Sequence, residues 1–273
     1  MKSLANRSSR SATAAAFQAR AERASALALV SKSGAEALRF SAALFDAQSR
    51  IADTLEELHA REPLAGRLSH DGPRIIAPLL AILPCAARSA PAQLSAQARA
   101  RARENPNTVR VRLAICWNRQ RGEEHDYLSR AMLRPWAEVL RAHAITPDRP
   151  HHAGHCPFCG GPPAVGCRRP IAEGEGSQRL LICICCGLEW PWSRVRCPVC
   201  FEADPQKLPS FTTPDRPSAR IEACETCRKY VKVIDLAQDP RALPEVDDLD
   251  SIGLDLWAVE KGFVRLEPGL AGI

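Results

Sequence analysis

The first 145 residues carry the hydrophobic pattern of amphipathic helices. Apolar residues recur there at spacings of three and four positions, the period of one helix face. The first stripe comprises Phe40, Leu44, Ala47, Ile51, Leu55 and Leu58. The second comprises Leu128, Met132, Trp136, Val139 and His143. Each stripe predicts a helix that packs on a core, and Pro135 either begins a helix in its first turn or kinks a longer one.

The pattern changes after residue 145. Residues 146 to 154 contain Pro147, Pro150 and Gly154 without apolar periodicity, which indicates a linker. Tyr230 to Leu236 has the composition of a strand. A last helical stripe predicts one closing helix, with Asp247 and Asp248 favourably placed near the positive end of its dipole. That stripe comprises Leu249, Ile252, Leu256 and Val259. We therefore predict four units: residues 1–150, 151–192, 193–236 and 237–273.

Three segments have less informative patterns. Residues 73–95 and 99–112 are Pro-punctuated or Arg-rich, and we assign them no element. The first 25 residues are rich in Arg, Ser and Ala, which fits a transit peptide by composition but favours a frayed, solvated helix. The longest apolar run, Ile75 to Ala87, is broken by Pro78 and Pro84 and is shorter than the ~20 residues of a membrane span. We predict no transmembrane segment.

Composition and charge narrow the class of protein. The chain has 273 residues, of which 45% are hydrophobic and 25% charged, as in ordinary globular proteins. The net charge of +6 is uneven, because residues 1–150 carry +9 and residues 151–273 carry −3. Of the 37 basic residues 31 are Arg, a bias that a GC-rich genome also produces. The charge alone is weak support for nucleic-acid binding.

Cysteine supplies the strongest signal, since ten of the twelve cysteines lie between Cys156 and Cys227. The N-terminus lacks the continuous hydrophobic region of an export signal, so we expect reduced thiols in the cytoplasm. Eight of the ten form Cys-x-x-Cys pairs, and each pair of the first two recurs 41 positions later. The eight are Cys156, Cys159, Cys183, Cys186, Cys197, Cys200, Cys224 and Cys227.

The repeat predicts two metal sites. Within each copy 23 residues separate the pairs, enough for a short β-hairpin that returns the second pair to the first. Four thiolates per unit form a tetrahedral site for zinc or iron. Both metals accept four thiolate ligands, so the number of ligands does not distinguish them. Gly160 and Gly187 follow the pairs of the first unit, whereas Phe201 and Arg228 stand in the second, which predicts a less regular second unit.

Several alternatives stay open at this point. Spacing does not separate a structural metal from a functional one. Four pairs in register disfavour a thioredoxin-like site, and no phosphate loop, dinucleotide fingerprint or nucleophile elbow supports an enzyme. The remaining candidate metal ligands are four cysteines, which we expect to be small buried side chains, and three histidines, which we expect to be solvated linker residues. They are Cys85, Cys116, Cys167, Cys185, His151, His152 and His155. Trp190 and Trp192 are expected to cover the first hairpin.

The residues around these cysteines resemble the formate dehydrogenase accessory protein FdhE family. The resemblance rests on residues 156–163, 183–190, 194–200, 224–232 and 247–249, and more loosely on residues 38–40, 47–48, 131–138 and 254–256. It implies a cytoplasmic accessory factor that binds the catalytic subunit of a respiratory formate dehydrogenase before export and is not itself an enzyme. It also implies rubredoxin-like iron sites at the eight paired cysteines. Phe201, Arg228 and the additional Cys185 depart from the family pattern.

Taken together, the sequence predicts an α+β protein. A helical N-terminal domain precedes two rubredoxin-like or zinc-ribbon tetrathiolate modules and a C-terminal helix. The predicted cofactors are two metal ions, iron or zinc, and the predicted partner is the formate dehydrogenase catalytic subunit. The alternative function is a double zinc ribbon that binds nucleic acid, which we rank second because the ribbons lie in the acidic half.

Overall fold

A computed structural model describes residues 10–119, 126–171 and 176–268. Its described residues form nine α-helices, seven strands and one 3-10 turn at Pro205–Lys207. The helices are α1 (Ala12–Ala28), α2 (Ala35–Arg61), α3 (Leu68–Leu79), α4 (Ile82–Ser89), α5 (Ala92–Arg101), α6 (Pro106–Trp117), α7 (Tyr127–Ala142), α8 (Pro244–Asp250) and α9 (Ile252–Glu260). The strands are β1 (Pro163–Pro170), β2 (Ser177–Cys183), β3 (Glu189–Pro191), β4 (Ser210–Thr213), β5 (Arg216–Ala223), β6 (Lys229–Asp235) and β7 (Val264–Arg265).

Both long helices predicted from periodicity are present. In α2 every residue of the stripe except Leu58 is buried, and Leu58 packs against the same core. In α7 the stripe is buried through Val139, and His143 forms the C-cap. Pro135 lies inside α7 and does not begin a helix, so the longer helix of the two alternatives is the observed one. Gln48 of α2 donates to the Ala131 carbonyl of α7 at 2.8 Å, which ties the two helices together in the core.

The N-terminal helix corrects one expectation. Residues 1–9 lie outside the described part of the chain, but α1 is neither frayed nor solvated. Phe17 is fully buried against α2, and Ser49 of α2 donates to the Ala14 carbonyl at 2.8 Å. Ser11 caps α1 and bonds to Asp53 of α2. Four of the six buried residues of α1 are alanines, so the buried face of this helix has only a weak apolar signal in the sequence.

The segments without an assigned element form α3 to α6. Pro106 begins α6 at a position where the missing N–H costs little, and Asn105 caps that helix. Pro73 and Pro78 lie inside α3. No helix among the described residues combines the length and apolarity required to cross a lipid bilayer.

The two cysteine units share one sheet. Its strand order is β3-β2-β1-β6-β5-β4, with β7 beside β6. Each unit contributes three antiparallel strands, and β1 pairs with β6 in parallel to join the units. Strand β6 confirms the strand predicted at Tyr230 to Leu236. The unit boundaries at residues 150, 192 and 236 stay predictions.

The C-terminal region differs from the single predicted helix. The chain turns at Ser251, so α8 and α9 are two short helices rather than one. Leu256 and Val259 are exposed, whereas Leu254, Asp255 and Ala258 are buried. The predicted apolar stripe was therefore wrong in orientation, because α9 turns a carboxylate inward. The α+β architecture, with its helical N-terminal region, two four-cysteine groups and final helices, is otherwise as expected.

Candidate metal centres

The first cysteine group consists of Cys156, Cys159, Cys183 and Cys186. One pair precedes β1 and the other begins at the end of β2, so the β1–β2 hairpin returns the chain to its starting point. The Sγ atoms of Cys156 and Cys186 are 3.7 Å apart, and those of Cys159 and Cys183 are 3.4 Å apart. All four Sγ atoms lie within 4.8 Å of one another.

The second cysteine group, Cys197, Cys200, Cys224 and Cys227, repeats this arrangement. Its Sγ atoms are 3.7 Å apart between Cys197 and Cys227 and 3.5 Å apart between Cys200 and Cys224. The 41-residue repeat therefore places equivalent thiols in equivalent positions. A tetrahedron with metal–sulfur bonds of about 2.3 Å has edges of about 3.8 Å, so both groups have the size of a tetrathiolate site for zinc or iron.

The backbone turns are also equivalent. The residue after each pair has a left-handed conformation, with φ of 67° at Gly160, 65° at Gly187, 61° at Phe201 and 57° at Arg228. In each turn the N–H of the first cysteine donates to the carbonyl five positions later, at 2.8 to 2.9 Å. The expectation of a less regular second unit was therefore wrong for the backbone. Phe201 and Arg228 adopt a conformation that favours glycine.

Gly160 and Phe201 give a matched test of these turns. A Cβ at Gly160 would lie 2.2 Å from the Pro150 carbonyl oxygen, which is backbone. We expect Gly160→Ala to lower the free energy of unfolding by ~2 kcal/mol or more, because left-handed strain and the contact with Pro150 act together. We expect Phe201→Gly to change it by less than about 1 kcal/mol, since relief of strain offsets the lost contact with Arg196. The midpoints of urea unfolding, at unchanged slope, measure both changes in stability. Equal losses of stability in the two variants would contradict the conclusion that the Gly160 turn requires glycine.

The two groups differ in burial. The first group belongs to the large core that α1, α2, α4 and α7 share, and all four of its cysteines are buried. In the second group Cys200 and Cys227 reach solvent, and none of the four belongs to either hydrophobic core of the described residues. Burial raises the pKa of the Cys183 thiol.

Side chains of the helical region hold the first group from outside. Arg141 of α7 donates to the Cys186 carbonyl at 2.8 Å. Glu138 of α7 is fully buried and accepts from Arg20 of α1 and Arg134 of α7 at 2.8 to 3.0 Å. A Cβ at Gly187 would contact the ends of all three side chains of this cluster. The second turn of the first group therefore packs directly on a charged junction between helices.

The other cysteines mostly follow expectation. Cys85, Cys116 and Cys167 are buried, and burial raises the pKa of the Cys116 and Cys167 thiols to about 12. Cys185 lies beside the first group, where hydrogen bonds from the Cys159 and Cys183 thiols lower its pKa. The Arg149 guanidinium, 3.6 Å from the Cys185 sulfur, acts in the same direction.

The histidines stay outside both groups. His151 and His152 are exposed, and His155 donates from Nδ1 to the Gly160 carbonyl at 3.1 Å. Burial lowers the pKa of His155. Trp190 is buried in the core beside the first group, as expected. Trp192 donates to the Arg196 carbonyl at 2.8 Å and so links the two units.

Two features around the groups were not anticipated from the sequence. Arg149, in the predicted linker, is buried and stacks on Trp117 at 4.6 Å. Lys232 of β6 meets Asp248 and Asp255 in a buried network that replaces the dipole role assigned to Asp248. One indication of this network is present in the sequence: Lys232, Asp248 and Asp255 all lie within the segments on which the family resemblance rests. Asp247 instead pairs with Arg23 of α1 and accepts from the Leu243 N–H.

Comparison with known proteins agrees with this arrangement. Residues 195–270 match the family model described as the FdhE C-terminal domain. A protein FdhE homolog of Aquifex aeolicus is 35% identical over 118 residues, 43% of this chain and 41% of that protein. A Pseudomonas putida homolog is 34% identical over 139 residues, 50% of this chain and 43% of that protein. The chain thus spans about two fifths of the length of the curated relatives it matches.

A solved structure extends the likeness to the whole fold. The crystal structure of the FdhE protein from Pseudomonas aeruginosa superposes with a TM-score of 0.70 and covers 96% of each chain at 23% identity. At this sequence identity, the structural match shows that the two proteins share a fold. The matches in sequence and in structure confirm the resemblance indicated by the cysteine motifs: residues 195–270 are similar to the FdhE C-terminal domain, and the chain as a whole has the fold of the Pseudomonas aeruginosa FdhE protein.

Proposed function

We propose that this protein is a cytoplasmic accessory factor that binds the catalytic subunit of a respiratory formate dehydrogenase before export and holds two metal ions, iron or zinc, at its eight paired cysteines. The observation that carries the metal part is the convergence of two sets of four thiols, each within 4.8 Å. The family resemblance supports the client. No catalytic step is assigned to the chain itself.

The metal part has a direct test. Protein purified without oxygen is expected to contain two ions per chain by elemental analysis. Ferric tetrathiolate sites absorb visible light, whereas zinc sites are colourless, so one spectrum separates the two metals. The double variant Cys224→Ser/Cys227→Ser is expected to retain one ion, and Cys167→Ala is the control for loss of a buried thiol outside both groups. Two ions in the double variant would contradict the ligand assignment.

The client part is tested by co-purification. Tagged protein co-expressed with a formate dehydrogenase catalytic subunit is expected to retain that subunit under reducing conditions. An unrelated exported protein of similar size serves as the negative control. The Cys224→Ser/Cys227→Ser variant shows whether binding requires the solvent-facing second group. Absence of association with intact, metal-loaded protein would overturn the proposed client.

The nucleic-acid alternative receives little support from the Arg-rich segment. Arg101 forms an ion pair with Asp126 at 2.9 Å, and Arg112 forms one with Glu104 at 3.1 Å. Arg99 donates to Ser95 at 2.7 Å. These guanidinium groups stabilise contacts among helices, which leaves fewer charges for phosphates. A binding constant that falls steeply with salt would favour this alternative over the proposed client.

A further inference from the structure

A basic concavity lies beside the second cysteine group. It has a volume of about 110 Å³, sufficient for several water molecules. The turn at Cys197 and Cys224 forms one wall, and the sheet strands β1, β2, β5 and β6 form the floor. Its charged lining residues are Arg168, Arg179, Arg194, Arg196, Lys229 and Glu222. Five cations and one carboxylate therefore face a single opening in the acidic half of the chain.

Most of these cations have no acidic partner. Arg179 uses the single carboxylate, since it donates to Glu222 at 2.6 Å. Within the described residues, Arg168, Arg194, Arg196 and Lys229 form no ion pair, although most other arginines near the sheet do. Asp235 is the cross-strand neighbour of Arg168, but it pairs with Arg220 at 2.7 Å. The charged side chains of the lining thus keep a formal excess of four positive charges. Cys197 and Cys224 of the second group also line the concavity, and four thiolates with a divalent ion add −2, so the excess beside the metal-loaded group is two.

The sheet register holds two of these cations together. Arg168 of β1 and Arg179 of β2 are directly opposite each other, an arrangement that like charges normally disfavour. Arg179 is 4% exposed, and the buried Nε of Arg168 lacks a hydrogen-bond partner. Burying an unpartnered charged donor has a substantial cost in free energy. An anion in the concavity would remove both the repulsion and the missing hydrogen bond.

We propose that this concavity, formed by Arg168, Arg179, Arg194, Arg196 and Lys229, binds a multiply charged oxyanion of the phosphate class. Guanidinium forks match the oxygens of phosphoryl groups, and several of them converge here around one opening. A tetrahedral dianion matches the excess of two positive charges beside the metal-loaded group, whereas a single carboxylate compensates only one of them. The proposal is independent of the client in the proposed function. A phosphoryl group can be free or part of a small molecule.

The test is calorimetric titration of metal-loaded protein with pyrophosphate, inorganic phosphate and acetate. We expect the two phosphates to bind and acetate to bind at least about tenfold more weakly. Tighter binding of pyrophosphate than of phosphate would indicate a phosphoryl group within a larger molecule, and equal binding would indicate the free ion. Failure of both phosphates to bind overturns the proposal.

Two variants separate a site from general charge. Arg168→Met removes the unpartnered donor and is expected to weaken phosphate binding by about tenfold or more. Arg39→Met removes an exposed charge on α2 and is expected to leave binding unchanged. Equal effects of the two variants overturn the proposal. Metal content is measured in parallel, because loss of the second ion in Arg168→Met with unchanged phosphate affinity would show that the cations serve the thiolates instead.

Discussion

Replacing Cys183 and Cys186 with serine is expected to unfold most of the protein, whereas the equivalent change at Cys224 and Cys227 is expected to leave the helical region folded. The two double variants remove the same repeat positions from the two cysteine groups. Only the first group belongs to the core that the helices share. The position of each group in the fold, rather than its chemistry, therefore determines the expected outcome.

The expected magnitudes support this contrast. Structural zinc sites contribute roughly 10–16 kcal/mol of apparent binding free energy, while a whole domain is stable by only about 5–15 kcal/mol. Loss of the first ion leaves serine hydroxyls and unpaired thiols inside a packed core, which adds a desolvation cost. Loss of the second ion exposes groups that already reach solvent at Cys200 and Cys227.

Circular dichroism at 222 nm and limited proteolysis measure the outcome. Cys183→Ser/Cys186→Ser is expected to lose helical signal and to be cleaved within the helical region. Cys224→Ser/Cys227→Ser is expected to retain most of the signal, with cleavage confined to residues 193–236. Cys85→Ala, a buried cysteine outside both groups, controls for the loss of a core sulfur. Native-like helicity in the first variant would show that the helices do not depend on that centre.

The elements predicted correctly are those whose signal is local. The stripes in α2 and α7 need only the helix period, and the four cysteine turns need only a spacing of three. The 41-residue repeat then predicts which turns meet, because each hairpin returns the chain to its own first turn. These features fix both cysteine groups before any tertiary contact is known.

The shared sheet could not be predicted from the same signals. Gly166 of β1 pairs with Val233 of β6, which are 67 positions apart and belong to different repeats. Nothing in the repeat distinguishes two separate ribbons from one continuous sheet. The buried position of Arg149 likewise depends on Trp117 and Cys185, which come from distant parts of the chain.

The prediction of which face of α9 is buried was wrong for a related reason. Its most apolar face predicts burial of Leu256 and Val259, yet Asp255 is the residue that points inward. Asp255 accepts from the Tyr230 hydroxyl at 2.8 Å and pairs with Arg265 at 3.0 Å and with Lys232 at 2.5 Å. Ionic contacts with the sheet therefore outweigh the local hydrophobic pattern in this helix.

Replacing Lys232 with methionine is expected to lower the free energy of unfolding by about 3–5 kcal/mol. Lys232 is 1% exposed and lies between Asp248 at 3.0 Å and Asp255 at 2.5 Å. Arg265 pairs with the same two carboxylates, so the wild-type cluster has two charges of each sign. Without the lysine, two buried carboxylates share one cation. Lys261→Met, which removes an exposed lysine at the end of α9, is the matched control.

The loss should depend on pH. Burial raises the pKa of Asp248, but the charges of Arg265 and Lys232 outweigh it and hold that pKa below its usual range. A depressed carboxylate pKa stabilises the folded state above the unfolded value of about 3.9, and this stabilisation is lost as the pH falls through the folded pKa. Without Lys232 the pKa rises, so a carboxylate in the variant takes up a proton at higher pH. The difference between wild type and variant is therefore expected to narrow from pH 7 towards pH 5.

A second substitution distinguishes charge imbalance from lost packing. Lys232→Met/Asp255→Asn restores one positive and one negative charge in the cluster, while the asparagine oxygen can still accept from Tyr230. We expect this double variant to be more stable than Lys232→Met alone, a positive coupling in a double-mutant cycle. Urea unfolding at pH 7 and pH 5 is measured for the four proteins of the cycle, which are the wild type, the two single variants and the double variant. Uncompensated carboxylate charge predicts both that the double variant is more stable than Lys232→Met and that the stability lost in Lys232→Met depends on pH. If neither result is observed, the lysine stabilises the fold through packing.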